Sequence, residues 1–252
     1  MISAYHRPQN LDEALGLISR DAPRTVPLGG GTMLSHSRDG AVEVVDLQAL
    51  GLNRLVERGQ SLEIGGVATL RQVEEYTATP AALASAIKLE KPLNLRNMST
   101  IAGALVVCDG RSGLAATLLA LDATITMRRP GEETLPLGEF LPMREQGGVR
   151  FLITRLEIPL IAHVAFEFVA RTPADRPIVG TALARWPSGR MRLVLCGYGP
   201  LPLLAMDGNA ADDVQAAARN AFSNATDAWG SAEFRMQTAA VLSRRCLAQL
   251  PN

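Results

Sequence analysis

The chain has 252 residues, 47% of them apolar and 20% charged, and its 25 basic and 25 acidic side chains balance. It is long enough to bury a large core, and its zero net charge gives no electrostatic reason to bind nucleic acid or an anionic membrane surface. Three isolated cysteines exclude a disulfide framework and argue against an iron–sulfur or zinc site within the chain. The sequence shows no apolar core of a signal peptide and no long apolar run, so we expect a cytoplasmic protein without a membrane span.

Residues 1–53 are predicted to form a small α/β unit. Apolar residues recur at helical spacing over 10–20, where Asn10 is placed to cap the helix. A strand over 25–27, a glycine turn, a short helix beginning at Thr32 and a β-rich run over 42–46 follow. This alternation of helices and strands is typical of a layered α/β fold.

The glycine turn is the most informative motif of this unit. It consists of Leu28, Gly29, Gly30, Gly31, Thr32, Met33 and Leu34. Three glycines let the backbone approach a ligand closely and direct their N–H groups to one point, and Thr32 can cap the helix that follows. The segment therefore predicts a cradle for a phosphate or diphosphate. A tight turn without a ligand is the alternative, because the segment matches neither G-x-G-x-x-G nor the P-loop pattern.

Residues 54–160 are predicted to form a second α/β unit. Its strands are a hairpin over 55–65 and single runs over 123–128 and 151–158. Its helices lie over 67–76, 81–86 and 114–121, with a short helical turn over 137–140. Thr69 and Gln72 have the spacing of a helix-capping box. A polar segment with a small-residue turn occupies 95–104, and a glycine break is expected at 146–148.

The last part of the chain is predicted to form a separate unit. It contains β-like runs over 163–171, 178–186 and 191–198, followed by helices over 212–222 and 232–250. Three antiparallel strands followed by helices place a boundary near residue 160. The predicted domains are therefore 1–160, with subdomains of about 1–53 and 54–160, and 161–252.

Several spaced segments carry a family resemblance. They are Tyr5-His6-Arg7-Pro8 with 11–15, the glycine turn, Ile64-Gly65-Gly66, Leu95-Arg96-Asn97 followed by Thr100-Ile101-Ala102-Gly103, and residues 118–123, 156–159, 231–235 and 242–245. In this order, over nearly the whole chain, they resemble the FAD-binding subunit of the molybdenum hydroxylases, the xanthine dehydrogenase and carbon monoxide dehydrogenase family.

The resemblance implies an α+β fold. A two-subdomain α/β FAD-binding domain of the PCMH type is followed by a small C-terminal domain with a three-stranded antiparallel sheet and a helical bundle. It also implies an oxidoreductase subunit that passes electrons from the [2Fe–2S] clusters of one partner subunit through FAD to an external acceptor. A second partner subunit would carry the molybdenum cofactor and oxidise the substrate, in a heterotrimer or its dimer. No catalytic or metal-binding residue is implied in this chain.

The resemblance also implies where FAD is held. The glycine turn would hold the diphosphate, and a second station, beginning at Thr100, would hold the ribityl chain and the flavin ring. The implied FAD-binding residues are the seven residues of the glycine turn together with Thr100, Ile101, Gly103, Ala104, Asp109, Gly113, Ile153 and Asp175. Asp175 resembles a family position near the edge of the isoalloxazine ring, with capping of a turn as the alternative.

The second station departs from the family pattern. Ala102 stands where the family has its first glycine, and Ala104 stands where it usually has asparagine. Gly113 stands where it has the acidic residue that holds the ribityl chain, for which Asp109 could substitute from a neighbouring turn. Losing a side-chain acceptor for buried hydroxyl groups costs about 1–3 kcal/mol. We therefore expect weakened FAD binding.

A basic residue that the family often has near the flavin is also missing, since its position falls at Glu167 or Phe168. These departures leave two alternatives open. One is a degenerate subunit that keeps the fold as a scaffold for its partners without binding flavin. The other is a stand-alone flavin oxidase, although the chain has no histidine or cysteine placed for covalent attachment of the flavin.

Overall fold

The computed structural model describes residues 1–34, 40–144, 150–209 and 211–251. Within these ranges the helices are α1 (Leu11–Ile18), α2 (Leu70–Glu75), α3 (Ala81–Glu90), α4 (Leu93–Arg96), α5 (Ile101–Val107), α6 (Gly113–Ala120), α7 (Leu137–Met143), α8 (Val214–Ala221) and α9 (Ala232–Gln249). The strands are β1 (Ile2–His6), β2 (Thr25–Leu28), β3 (Val42–Asp46), β4 (Leu55–Arg58), β5 (Ser61–Gly65), β6 (Thr124–Arg128), β7 (Glu132–Pro136), β8 (Leu152–Pro159), β9 (His163–Val169), β10 (Val179–Arg185), β11 (Met191–Cys196) and β12 (Leu203–Gly208). None of the described helices combines the length and the apolar content that a bilayer span requires. The glycine break predicted at 146–148 lies outside the described residues.

The first sheet is parallel, with three strands in the order β1-β3-β2 and α1 packed against it. α1 begins where the sequence predicts, because the side chain of Asn10 accepts a hydrogen bond from the backbone N–H of Glu13 at 2.8 Å. Ala14 of α1 and Val45 of β3 belong to the buried core of this unit. β1 was not predicted, and its Ile2 and Tyr5 are exposed, so it lacks the alternation of a half-buried strand.

The second sheet has five antiparallel strands in the order β4-β5-β8-β6-β7. Helices α2, α3, α5, α6 and α7 contribute to the core that it covers. The predicted capping box at the start of α2 is present, with Thr69 and Gln72 each bonding the backbone of the other. Of the segment predicted over 95–104, the turn lies at residues 97–98, between α4 and α5, whereas its small residues from 101 onward are helical because they begin α5. Thr100 caps α5 by accepting a hydrogen bond from the N–H of Gly103 at 3.1 Å.

The third sheet has four antiparallel strands in the order β12-β11-β10-β9, one more than the three predicted. The additional strand is β12. Its first residues, Leu203 and Leu204, are both exposed, and it lies at the edge of the sheet. An edge strand of this kind lacks the in-and-out alternation by which strands are recognised in a sequence.

The two faces of the third sheet pack against different helices. Leu183 and Leu193 belong to a core with α8 and α9, whereas their neighbours Ala182 and Val194 belong to the core that contains α6. Every residue of α6 is buried. The second and third sheets therefore share one core, and the domain boundaries predicted near residues 53 and 160 stay predictions.

Candidate functional site

The glycine turn and the second station lie against each other. A Cβ added at Gly30 would lie 1.7 Å from the carbonyl oxygen of Met98, and one added at Gly29 would lie 2.7 Å from Oγ1 of Thr100. Only glycine permits so close an approach, and Gly31 in addition has a φ of +69°, in the left-handed region. The structure therefore brings the two predicted stations together at one place.

The glycine turn contains backbone N–H groups that are available as hydrogen-bond donors. Those of residues 29–31 have no hydrogen-bond acceptor within the described part of the chain. At the start of α5, by contrast, the N–H of Ile101 donates to the carbonyl oxygen of Ala68 at 2.8 Å, and the N–H of Ala102 donates to that of Gly66 at 3.2 Å. The glycine turn, rather than the first turn of α5, thus offers unpaired donors to an anion.

Two cavities border the glycine turn. The first has a volume of about 330 Å³ and a mainly apolar lining, to which the turn, α5 and Ile153 of β8 contribute. The second has a volume of about 540 Å³. Its polar lining includes Arg7, Gln48, Asn53, Gln72 and Asn97. Gly29, Gly30, Val67 and Thr100 line both cavities. The glycine turn therefore lies at the border between an apolar and a polar space.

Most of the predicted FAD-binding residues line these cavities. Those that line the first are Gly29, Gly30, Gly31, Thr32, Met33, Leu34, Thr100, Gly103, Ala104 and Ile153, and Leu28 lines the second. The predicted residues that line neither are Ile101, Asp109, Gly113 and Asp175. Ile101 is fully buried in the core. Asp175 lies in a turn, where its backbone N–H donates to the carbonyl oxygen of Thr172 at 3.1 Å.

Asp109 is paired with a loop of the C-terminal unit. Its carboxylate accepts hydrogen bonds from both terminal nitrogens of Arg176, one of them at 2.9 Å, and from the backbone N–H of Arg111 at 2.8 Å. Burial opposes ionisation of Asp109, but these hydrogen bonds outweigh it and lower the pKa of the carboxyl group. The guanidinium of Arg111 donates to the carbonyl oxygens of Arg176 and Pro177. Asp109 is thus bound to the loop over 170–178 and does not reach either cavity.

Gly113 begins α6 and faces Phe166 of β9. A Cβ added there would lie 2.8 Å from Cζ of Phe166, whose ring stacks on that of Phe168 with centroids 5.9 Å apart. Glu167, between them, accepts a hydrogen bond from the side chain of Gln249 at 2.6 Å. At the position where the family pattern has an acidic residue, Gly113 therefore packs against an aromatic ring. At the position where it has a basic residue, Glu167 forms a hydrogen bond at the surface.

Lys91 is a site residue that the sequence did not predict. It follows α3 directly and lines the first cavity, where it is the one charged residue that the described lining contains. The sequence carries no signal that marks it, because Lys88, the other of the two lysines in the chain, is exposed and does not line the cavity. The basic residue was instead sought at 167 and 168, where the family pattern has it.

The first cavity fits a diphosphate joined to an apolar ring system. The unpaired N–H groups of the glycine turn suit a diphosphate, and the apolar lining suits a flavin ring. The described lining contains no cysteine, histidine, aspartate or glutamate that could act as a nucleophile or general base. Nor do the described residues hold a group of three or more such side chains placed to bind a metal ion. What the arrangement can do is bind and position a cofactor.

Comparisons with known proteins identify the family and the fold. Residues 1–161 match the family described as FAD binding domain in molybdopterin dehydrogenase. The chain is 28% identical to protein YgfM of Escherichia coli over 251 residues, covering 96% of this chain and 94% of YgfM. It is 25% identical to the carbon monoxide dehydrogenase medium chain of Afipia carboxidovorans over 274 residues, covering 96% and 94%. A chain of the CO dehydrogenase from Oligotropha carboxidovorans has the same fold, with a TM-score of 0.83 and 24% identity over 98% of this chain and 96% of that one.

The fold likeness confirms the predicted fold class, and the family match spans more than half of the chain. The match includes the glycine turn and the second station, the two segments that meet at the first cavity. The chain therefore belongs to the family of FAD-binding domains of molybdopterin dehydrogenases, which confirms the family and the oxidoreductase class predicted from its sequence.

Proposed function

We propose that this chain is the FAD-binding electron-transfer subunit of a molybdenum-cofactor hydroxylase or dehydrogenase. The observation that carries the proposal is the glycine turn, whose three unpaired N–H groups border a mainly apolar cavity in a chain of the FAD-binding family. When bound there, FAD supplies the redox chemistry, taking up electrons and passing them to an external acceptor.

The chain's own residues bind and position the cofactor. The N–H groups of residues 29–31 receive the diphosphate, and Met33, Val107 and Ile153 exclude water from the ring system. Gly103 lets the ligand approach α5 closely, because it carries no side chain. Backbone donors and apolar packing, rather than acidic side chains of the second station, carry the binding in this proposal.

The proposal includes two partner subunits and a cytoplasmic location. One partner carries [2Fe–2S] clusters and delivers electrons, and the other carries the molybdenum cofactor and oxidises the substrate, in a heterotrimer or its dimer. The relative from Afipia carboxidovorans is named a medium chain, which supports a complex of more than one kind of chain. Cys108, Cys196 and Cys246 are free and buried, as expected of a protein in a reducing compartment.

FAD binding by the purified chain tests the proposal. The chain is titrated with FAD while flavin fluorescence and absorbance are followed, and we expect saturation at one FAD per chain with a rise in melting temperature. A tagged copy is then purified from its own cells and analysed for flavin, iron and molybdenum. A folded chain that assembles with iron-containing and molybdenum-containing partners but holds no flavin would contradict the proposal and support the scaffold alternative.

A further inference from the structure

Lys91 lines the mainly apolar first cavity. It is the one charged residue in the described lining, where its neighbours include Val106 and Val107 of α5. An ammonium group close to apolar surface is unfavourable unless it stays hydrated or meets an anion. The position of Lys91 therefore points to a negatively charged ligand.

The backbone at Lys91 is held by a buried ion pair. Its carbonyl oxygen accepts a hydrogen bond from Nη1 of Arg96 at 2.8 Å, and Nε of Arg96 donates to Glu74 at 2.8 Å. The side chains of Arg96 and Glu74 are only 11% and 6% exposed. The base of the lysine side chain is thus fixed at the edge of the cavity.

No carboxylate of the described residues forms an ion pair with the ammonium of Lys91. The carboxylate of the adjacent Glu90 accepts a hydrogen bond from Oγ of Ser112 at 2.9 Å. Burial raises the pKa of Glu90, and the charge of Arg176, the hydrogen bond from Ser112 and the charge of Lys91 oppose that rise. Lys91 therefore interacts with Glu90 through space but without a direct ion pair, and its ammonium can still pair with a ligand in the cavity.

We propose that Lys91 pairs with the negative charge that the flavin ring of FAD carries when it is reduced. This rests on the proposed function. The three unpaired N–H groups of the glycine turn already serve the diphosphate, which leaves the ring as the anionic group for Lys91. Two electrons from the partner's iron–sulfur clusters and one proton from solvent leave the ring with one negative charge. The ammonium stabilises that charge without giving up its own proton.

Midpoint potentials of the bound flavin test the proposal. The variants are Lys91→Gln, Lys91→Arg and the control Lys88→Gln, in which the exposed lysine of α3 is changed. In Lys91→Gln we expect about tenfold weaker binding of reduced relative to oxidised FAD, which makes the two-electron potential about 30 mV more negative. Lys91→Arg and Lys88→Gln should keep the wild-type potential. An unchanged potential in Lys91→Gln would overturn the proposal.

Chemical labelling separates the ring from the diphosphate. Because the chain has only two lysines, acetylation of each is followed by mass spectrometry. We expect reduced FAD to slow acetylation of Lys91 but not of Lys88, and ADP, which has the diphosphate without the flavin, to protect neither. Equal protection by ADP would assign Lys91 to the diphosphate and overturn the ring assignment. A wild-type chain that binds no FAD would overturn the proposed function as well, whereas normal binding with an unchanged potential overturns only the role of Lys91.

Discussion

Gly113 at the start of α6 packs directly beneath the ring of Phe166, so close that a Cβ would lie 2.8 Å from Cζ of that ring. The contact joins a helix of the FAD-binding family region to the first strand of the C-terminal sheet. It explains why this position holds no acidic side chain, because an acidic group there would meet an aromatic ring. The absence of the family's acidic residue at position 113 therefore goes together with the aromatic ring of Phe166, which fills the space beside it.

Gly113→Ala should destabilise the chain through this contact. The added methyl group overpacks a buried site, which costs about 1–3 kcal/mol, and replacing the ring in Gly113→Ala/Phe166→Leu should recover part of the loss. Urea unfolding measures both. Gly16→Ala is the control, because Gly16 lies in α1 with open space around it and alanine there stabilises the helix by about 0.5–1 kcal/mol. Equal stability of Gly113→Ala and wild type would contradict the packing described here.

Gly30→Ala should weaken FAD binding by about tenfold or more, equivalent to at least 1.4 kcal/mol. The new Cβ would overlap the carbonyl oxygen of Met98, so the glycine turn must move away from the second station and its N–H groups lose their common direction. Isothermal titration with FAD measures the affinity, and circular dichroism shows whether the fold is kept. Gly16→Ala should bind FAD as wild type does. Wild-type affinity in a folded Gly30→Ala chain would show that the turn does not hold the diphosphate.

The ion pair between Asp109 and Arg176 should make stability depend on acid pH. Because the folded chain lowers the pKa of Asp109, its stabilisation is present above the unfolded pKa of about 3.9 and is lost as the pH falls through the folded value. The carboxylate is half exposed, so Asp109→Asn should cost no more than about 1 kcal/mol at neutral pH. Urea unfolding of both chains between pH 7 and pH 3 should show the difference shrinking with acidification. A constant difference across this range would contradict the assignment.

Asp227→Ala should be the most destabilising of these substitutions. The side chain of Arg235 is fully buried, and Asp227 accepts its hydrogen bond at 2.7 Å. Removing the carboxylate leaves a buried positive charge uncompensated, which costs about 3–5 kcal/mol. Asp12→Ala is the control, since Asp12 pairs with Arg128 at the surface and should cost less than about 1 kcal/mol. Thermal unfolding compares the two, and a similar small loss in both would show that the Arg235 charge is compensated elsewhere.

Local chemistry made part of the fold predictable. Asn10 and the Thr69–Gln72 box mark the starts of α1 and α2, because a cap depends on residues three positions apart in the chain. The glycine turn was recognisable for the same reason, as three adjacent glycines signal close backbone approach wherever they occur. β1 and β12 were not predicted because neither alternates between buried and exposed residues: β1 pairs with β3, about 40 residues away, and β12 is the exposed edge strand beside β11.

The sequence by itself determined the family, the fold class and the glycine turn as half of the candidate site, since each depends on residues close together in the chain or on their order. Only the tertiary structure decided which way the remaining residues face. In the structure Gly113 packs against Phe166, Asp109 pairs with Arg176, and Lys91 lines the first cavity. The physical reason is that the direction of a side chain depends on what packs against its element, and those contacts come from segments far away in the sequence.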